Sequence, residues 1–206
     1  TTKRGNEGKL KVSYNGYVAI QDINRNFEFY NGAEWAAYRK EAYWNAYGTY
    51  DETDCFSEHM LDSFYSGEWV DWESLMISKA IQHKHDVFVQ SGTDKTKYAF
   101  GIGGYFQDGM VPNSGFDKVS ARLNIDHKIC KAVSLGANIS YSRAWKQSAD
   151  GSFNLFVTMP PLAKVYEDDG VTLRKDVTEA GESHFNPLWN INNAESRTET
   201  DRLLIN

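Results

Sequence analysis

Cysteine, proline and long apolar runs are all scarce in this 206-residue chain. The two cysteines, Cys55 and Cys130, are too few for a disulfide scaffold, and neither has the Cys-x-x-Cys or Cys/His spacing of a zinc site. No run of 18 apolar residues occurs, which excludes a transmembrane helix. A transmembrane β-barrel is not excluded, because barrel strands alternate polar and apolar residues.

Clustered basic charge is missing as well. The formal net charge is −6, and no basic cluster is longer than the two residues of Lys3-Arg4. This balance argues against a nucleic-acid partner, which requires a basic surface. Residues 1–8 are polar and charged, unlike a signal peptide. We therefore expect any export signal to lie upstream or to have been removed.

Alternation with a period of two residues is the dominant pattern. It predicts strands at 9–21, 85–91, 98–106 and 117–130, and another from Val133 onward, with 85–91 the weakest. Four of the five reach the roughly 9–11 residues of a tilted membrane-spanning strand, whereas strands of soluble proteins cluster near about 5–6. Aromatic residues stand near the ends of the apolar faces, as in the girdles of membrane barrels: Tyr98, Phe106, Tyr141, Trp145.

Connection lengths alternate between short and long. The connections at 92–95 and 130–132 are tight, whereas those at 23–82, 108–116 and 146–197 are long. In an up-and-down sheet, all short turns then lie at one end and all long loops at the other. Short periplasmic turns opposite long extracellular loops are typical of outer-membrane barrels.

The long connections contain helical patterns. Residues 32–46 are rich in helix formers. A shorter helix is predicted from Ser57 to Tyr65, with Ser57 as N-cap and Gly67 near its end. A turn is predicted at 167–170.

No catalytic constellation is present, so we expect neither an enzyme nor a cofactor. Glu58 and His59 are neighbours on a helix and point to different sides. The glycines of 101–104 lie inside a strand pattern rather than at a strand–helix turn, so close packing explains them better than dinucleotide binding.

Metal sites have weak candidates only. An acidic loop at 51–54 lies near His59, 167–170 is a second acidic turn, and His83 and His85 share a strand face. The acidic spacing matches no EF-hand loop, and two histidines give two ligands at best. Solvated loops and structural histidines are the simpler interpretation, and we expect no metal site.

Tryptophans in the long loops are the candidate substrate-binding residues: Trp35, Trp44, Trp69, Trp72 and Trp189. Aromatic faces stack on sugar rings and peptide side chains. The alternative is that these rings pack the loop helices together. On the polar strand face, Arg122, Asn124, Asp126 and Asn138 are expected to line a lumen, where Arg122 and Asp126 could pair with each other or with charges of a plug domain.

A series of short motifs resembles the SusC/RagA-type TonB-dependent transporters of Bacteroidetes outer membranes. Their order and spacing, rather than any single motif, carry the resemblance over nearly the whole chain: Thr1-Thr2-Lys3-Arg4-Gly5, Val12-Ser13-Tyr14-Asn15-Gly16-Tyr17, Trp69-Val70-Asp71-Trp72, Gln82-His83-Lys84-His85-Asp86-Val87-Phe88-Val89-Gln90-Ser91-Gly92, Lys95-Thr96-Lys97-Tyr98, Gly104-Tyr105-Phe106-Gln107-Asp108-Gly109-Met110-Val111-Pro112-Asn113-Ser114, Ser120-Ala121-Arg122-Leu123-Asn124-Ile125-Asp126, Leu135-Gly136-Ala137-Asn138 and Asn186-Pro187-Leu188.

The resemblance implies an all-β fold, part of a barrel of about 22 strands with a plugged lumen. Residues 1–8 would be the end of the plug and its junction with the barrel. Residues 9–206 would be the first strands and extracellular loops, with short helices in the loops. The family pattern also implies that a plug precedes this chain and that most barrel strands follow it.

The implied function is TonB-dependent nutrient uptake of oligosaccharides or oligopeptides across the outer membrane. The expected partners are a SusD-like surface lipoprotein, the TonB–ExbB–ExbD system through the plug, a glycan or peptide substrate, and membrane lipid. A soluble secreted β-sandwich that binds carbohydrate is the alternative. It predicts that Val119, Leu123, Ile125, Leu135 and Ile139 are buried in a core.

Overall fold

Six antiparallel strands form one sheet, in which each strand pairs with its neighbours in the chain. The computed structural model describes residues 5–24, 28–149, 151–178, 184–194 and 196–206. Residues 1–4, half of the predicted plug junction, lie outside the described residues. The predicted all-β, up-and-down arrangement is confirmed.

The strands are β1 (Gly8–Gln21), β2 (Ala80–Gly92), β3 (Thr96–Asp108), β4 (Gly115–Lys128), β5 (Ser134–Ser148) and β6 (Ser196–Ile205). Their lengths run from 10 to 15 residues, so every one is long enough to cross a membrane at a tilt. The prediction at 85–91 was too short. β2 begins at Ala80, but the polar residues His83, Lys84, His85 and Asp86 occupy both faces and hide the alternation.

Turns and loops separate to opposite ends of the sheet. Tight turns join β2 to β3 and β4 to β5, closed by Thr93 N–H donating to Thr96 C=O (2.7 Å) and Ile129 N–H donating to Val133 C=O (3.0 Å). The connections at the other end span 22–79, 109–114 and 149–195. The predicted asymmetry of connection lengths is confirmed.

Both predicted loop helices are present. The first is α1 (Gly32–Tyr47), which begins at a capping box formed by Asn31 and Glu34 and ends at Gly48 in the left-handed conformation (φ 73°). The second is α3 (Glu58–Ser66), capped by Ser57 and ended by Gly67 (φ 72°). Cap residues thus place both helix ends within about one residue of the predicted bounds.

The loops contain further short helices that periodicity did not indicate: α2 (Glu52–Cys55), α4 (Trp72–Met76), α5 (Pro187–Asn193) and a 3-10 helix at Gly151–Thr158. Segments of this length make too few turns for a recurring apolar face to be visible in sequence. Among the described residues, no helix is both long enough and apolar enough to cross a membrane.

The hydrophobic core lies in the loops and not on the sheet. One buried cluster includes Trp72, Met76, Phe156, Val177 and Ile191, and a second includes Ala36, Cys55, Phe56, Met60 and Leu162. On the sheet, none of the five residues that a β-sandwich would bury is buried; Leu135, for example, is 62% exposed. No second sheet covers the first within the described part of the chain.

The three long connections pack into one unit, here called the loop lobe (residues 28–79, 109–114, 155–178 and 184–194). Val70 N–H donates to Pro161 C=O (2.8 Å), and Trp72 Nε1–H donates to Pro160 C=O (2.9 Å). Asn113 Nδ2–H donates to Asn192 Oδ1 (3.0 Å), which ties the β3–β4 connection to α5. Segments more than 80 residues apart in sequence are thereby held at one end of the sheet.

Asn186 is the central polar residue of the lobe and is fully buried. Its Nδ2 donates to the carbonyls of Val165 (3.0 Å) and Arg174 (2.8 Å), and its Oδ1 accepts from Leu188 N–H (3.0 Å) at the start of α5. The side chain therefore joins two loop segments, at Val165 and Arg174, and caps helix α5. These hydrogen bonds satisfy its buried amide group.

Replacing Asn186 tests whether it organises the lobe. Asn186→Ala removes the helix cap and the side-chain donor to the Arg174 carbonyl, whereas the Val165 carbonyl keeps Arg174 N–H as a donor. We therefore expect the local opening free energy to fall by about 2–3 kcal/mol. Hydrogen exchange of the intact protein should show faster exchange at residues 174–177 and 186–191. Asn193→Ala, which removes one exposed hydrogen bond from the same helix, is the control. Equal protection in both variants would contradict this role.

Candidate functional site

The two faces of the sheet differ sharply in polarity. Cross-strand partners place most apolar residues of the six strands on one side, here called the apolar face: Leu10, Val12, Tyr14, Val18, Ile20, Val87, Val89, Tyr98, Phe100, Ile102, Leu123, Ile125, Leu135, Ile139, Tyr141, Leu203 and Ile205. Many are exposed, such as Leu10 (61%) and Ile102 (52%). A contiguous apolar surface of this size on a protein requires a cover.

The opposite side, here called the polar face, carries hydrogen-bonding and charged groups. Gln21, Gln82, Tyr105 and Gln107 form a network near the loop end, with Tyr105 Oη donating to Gln107 Oε1 at 2.6 Å. Lys84 Nζ pairs with Asp86 Oδ2 at 2.8 Å. Such a surface suits water or a polar partner.

All four predicted lumen residues lie on the polar face. Asn124 and Asn138 are direct cross-strand partners. Arg122 and Asp126 are four residues apart on β4, roughly 13 Å along the strand, and the described residues contain no ion pair between them. The suggested pairing within the wall is therefore not formed.

Glycines on β3 make room for larger neighbours, as predicted from their position inside a strand. A Cβ on Gly103 would collide with the Asp86 carboxylate, and a Cβ on Gly101 would lie 3.2 Å from the Phe88 ring. The absence of side chains there lets Asp86 and Phe88 lie flat across β3 on the polar face.

The start of the chain crosses the turn end of the sheet. Gly5 is buried, and a Cβ there would come within 2.6 Å of the Tyr98 backbone. Ser91 Oγ donates to Gly8 C=O at 3.1 Å. Ala99 and Asn124, which share a cross-strand row on the polar face, are buried close by.

An open groove of about 1070 Å³ lies in the loop lobe. Its described lining combines carboxylates with aromatic rings and includes no lysine, arginine or histidine: Glu28, Glu34, Asp71, Glu73, Phe29, Tyr30, Trp35, Trp69, Trp72 and Phe156. Tyr30 and Trp69 present 59% and 49% of their surfaces. Acceptor oxygens beside accessible rings can bind a ligand that offers both donors and flat apolar faces.

The five candidate tryptophans do not form one site. Trp35, Trp69 and Trp72 line the groove. Of these, Trp72 is buried and belongs to the lobe core, while Trp35 packs against Phe56 with ring centroids 6.1 Å apart.

Trp44 and Trp189 lie away from the groove. Trp44 is exposed near the end of α1, and Trp189 is half-buried on α5 beneath Lys175, whose Nζ is 5.3 Å from the ring centroid. Trp69 is thus the candidate with the most accessible ring in the groove.

Several groove residues were not identified from sequence. Phe29, Tyr30 and Glu28 lie just before α1, where no periodic pattern distinguishes them from other loop residues. The available signal was the adjacent capping sequence Asn31–Glu34, which fixes the start of α1 and so orients the residues before it.

An ion pair joins the helices that support one wall of the groove. Lys40 Nζ lies 2.6 Å from Glu52 Oε1, and Tyr65 Oη donates to the other oxygen of Glu52. The hydrogen bond from Lys40, followed by that from Tyr65, lowers the pKa of Glu52, while the same bond to Glu52 raises the pKa of Lys40. These contacts hold α1, α2 and α3 together around buried Cys55.

The weak metal candidates have structural partners. Asp51 caps α2, Asp169 accepts from the amides of Val171 and Thr172, and His85 Nδ1 lies 2.6 Å from Tyr14 Oη. His83 stacks on Phe106. Within the described residues, no group of three or more His, Cys, Asp or Glu side chains could hold a metal ion.

Known proteins similar in sequence are TonB-dependent receptors. TonB-dependent receptor P3 of Formosa agariphila is 26% identical over 147 residues, which is 71% of this chain and 13% of that protein. TonB-dependent receptor SusC of Bacteroides thetaiotaomicron is 24% identical over 126 residues, 61% of this chain and 11% of that protein. The chain therefore spans less than a fifth of these relatives. No family model matches.

Solved structures with the same fold include the RagAB peptide importer. In its closed-closed state it superposes with a TM-score of 0.71 and 21% identity, covering 99% of this chain and 26% of that one. A further RagAB peptide transporter structure gives 0.73 and 20%, with the same coverage. Each of these proteins is named as a receptor, importer or transporter. The resemblance inferred from sequence, the partial-barrel fold and the outer-membrane location are confirmed.

Breaking the Lys40–Glu52 pair should loosen the support of the groove. In a Cys130→Ser background of the intact protein, Glu52→Gln should raise the rate at which a dipyridyl disulfide modifies Cys55 by about two- to fivefold, as expected for a partly exposed ion pair. Glu41→Gln, on an exposed position of α1, should leave the rate unchanged. Similar rates in both variants would exclude a supporting role.

The same pair has a defined pH dependence. Because the pKa of Glu52 is lowered, its stabilisation is present above the ordinary carboxyl pKa and is lost as pH falls through the lowered value. Because the pKa of Lys40 is raised, the alkaline loss occurs only as pH rises through that raised value. Relative to a free thiol at the same pH, Cys55 modification should therefore become faster on acidification in the wild type, and Glu52→Gln should lack this relative increase.

Proposed function

We propose that this chain, a stretch of an outer-membrane receptor of the SusC/RagA TonB-dependent type, supplies barrel wall and outer vestibule to an importer of oligosaccharides or oligopeptides. The single observation that carries the proposal is a one-layer sheet with an uncovered apolar face and a polar face behind it. Only a wall between lipid and an aqueous or protein-filled lumen meets both requirements.

The apolar face meets the hydrocarbon of the membrane in this proposal. The paired strands satisfy the backbone N–H and C=O groups within the sheet, as hydrocarbon demands. The open edges of β1 and β6 pair with the remaining strands of the barrel. Without such pairing, the backbone N–H and C=O groups along each edge would have no hydrogen-bond partners in lipid.

The polar face lines the lumen, and residues 1–8 lead from the plug into β1. Gly5 against the Tyr98 backbone, together with the buried Ala99 and Asn124, supports a chain that arrives from the lumen side at the turn end. In this arrangement the TonB–ExbB–ExbD system acts on the plug, and the wall residues remain in place while substrate passes.

The groove of the loop lobe is the proposed first contact for substrate. Trp69 and Tyr30 offer accessible rings for a sugar face or a peptide side chain. The carboxylates Glu28 and Glu34 stand beside them, and such oxygens accept from the hydroxyls of a glycan or the amides of a peptide. Transport by this route requires no bond chemistry, so no enzymatic activity is proposed.

A SusD-like surface lipoprotein is the proposed partner above the loop lobe. Exposed aromatic residues away from the groove support this assignment: Trp44 and Tyr47 on α1 and Tyr65 on α3. Aromatic side chains of this kind are enriched in protein interfaces. Trp44 is therefore assigned to partner contact and Trp69 to substrate contact.

Cells that depend on the intact receptor can separate these roles. Uptake of a fluorescent oligopeptide mixture and of a fluorescent oligosaccharide mixture is measured at limiting concentrations. Trp69→Ala should raise the concentration for half-maximal uptake of the transported class about tenfold, because a stacking surface is lost. Phe185→Ala, an exposed aromatic truncation outside the groove, should leave that concentration unchanged.

The amount of each variant in the outer membrane is compared with that of the wild type, so that a change in uptake is not mistaken for a change in expression. Failure of wild-type cells to take up either mixture would overturn the import function. Uptake by wild-type cells that is unaffected by Trp69→Ala would remove the groove from the substrate path and leave the wall assignment intact.

A further inference from the structure

The apolar band of the sheet does not follow the cross-strand rows. One such row runs Val18, His83, Phe106, Asp117, Trp145 and Glu199 from β1 to β6. At β1 the row is apolar and exposed, while at β4 and β6 it is acidic. A boundary perpendicular to the strands would leave the whole row either inside or outside a membrane, and neither fits.

The loop-end limit of the band moves steadily from β1 to β5. On β5 the last apolar-face aromatic before charged residues is Tyr141, which shares a row with Tyr14 of β1. On β1 the apolar face continues six residues beyond Tyr14, to Ile20. A drop of six residues over the four steps from β1 to β5 corresponds to strands tilted by roughly 45° from the membrane normal, close to the tilt of membrane barrels.

The turn-end limit moves in the same direction. Tyr98 of β3 shares a row with Ala137 of β5. In the next row toward the turns, β3 presents Thr96 and β5 presents the exposed Leu135, and Val133 extends the apolar residues beyond β5. Both limits of the band therefore shift in the same direction, and the band crosses the sheet obliquely, as a flat membrane does across tilted strands.

Charged residues mark the side of the boundary that is not hydrocarbon. Arg143 lies 2.6 Å from Glu199 and 3.9 Å from Asp201, its guanidinium is 5.3 Å from the Trp145 ring centroid, and Tyr141 Oη donates to Asp201 at 2.6 Å. Ionised groups are costly among acyl chains, whereas tyrosine and tryptophan favour the interface. By contrast, the hydroxyl of Tyr14, deep within the band on β1, is paired with His85.

We propose that the outer-leaflet headgroup layer meets this wall along an oblique line from Ile20 on β1 to Tyr141 on β5. Arg143, Trp145 and Glu199 then contact lipid headgroups, while Val18, in the same cross-strand row as Trp145 and Glu199, contacts acyl chains. This interface rests on the proposed function, since it requires the sheet to be a barrel wall with its loop end outside.

Spin labels at two positions of one row test the line. In the intact receptor, reconstituted in bilayers and with native cysteines replaced by alanine, nitroxide labels are attached to Val18→Cys and Trp145→Cys. Oxygen should relax the label at 18 more than a water-soluble nickel chelate does, and the order should reverse at 145. Asp117→Cys, in the same row, should behave like 145 and serves if Trp145→Cys does not fold.

The controls are labels at Tyr17→Cys and Ala144→Cys, which precede residues 18 and 145 in the sequence and share a row on the polar face. Both control labels should be shielded from oxygen-rich lipid. Oxygen-dominated relaxation at 18, 117 and 145 alike would overturn the oblique line but leave the membrane wall standing. Nickel-dominated relaxation at all three would also overturn the oblique line, because it fits a boundary perpendicular to the strands. Nickel-dominated relaxation at a further label, Ile102→Cys in the middle of the apolar face, would overturn the wall itself and the proposed function with it.

Discussion

The structure depends on a sheet that is one layer thick and has two faces of opposite polarity. Backbone pairing of each strand with its neighbours, from β1 through β6, fixes which side chains share a face. A shift of one residue in any strand would exchange its two faces. Leu123 and Ile139 are direct partners on one side, just as Asn124 and Asn138 are on the other. With no second layer in the described chain, the apolar side requires a cover from outside that part of the chain, and the proposed membrane position follows from that requirement.

The hydrophobic core is displaced to the end of the wall. Three loops that are distant in sequence bury Trp72, Met76, Leu162 and Ile191 in the lobe, and Asn186 supplies the polar connection among them. A folded lobe can hold a groove in a fixed shape, which bare loops cannot, because fixing a loop for each ligand would cost conformational entropy. The lobe therefore gives rigid geometry to a region that sequence alone describes only as long connections.

Sequence predicted the sheet well because its signal is local. Alternation identified five of the six strands and missed β6 (Ser196–Ile205), and cap residues such as Asn31 and Ser57 located both longer helices. It failed where position depends on distant contacts. Trp69 and Trp72 are three residues apart and equally suitable as ligand-stacking rings, yet α4 turns Trp72 into the core toward Pro160 and leaves Trp69 exposed. The start of β2 was missed because His83 and Asp86 mask its alternation, while pairing with both neighbours imposes the strand.

The most direct test of the account is the state of the full-length parent in the cell envelope. If the sheet is a barrel wall, the protein partitions with outer membranes, requires detergent for extraction, and migrates faster on a denaturing gel before heating than after. Heating unfolds the barrel, which accounts for that difference. Recovery of the parent as a detergent-free monomer whose migration does not change with heating would contradict the assignment of the apolar face to lipid.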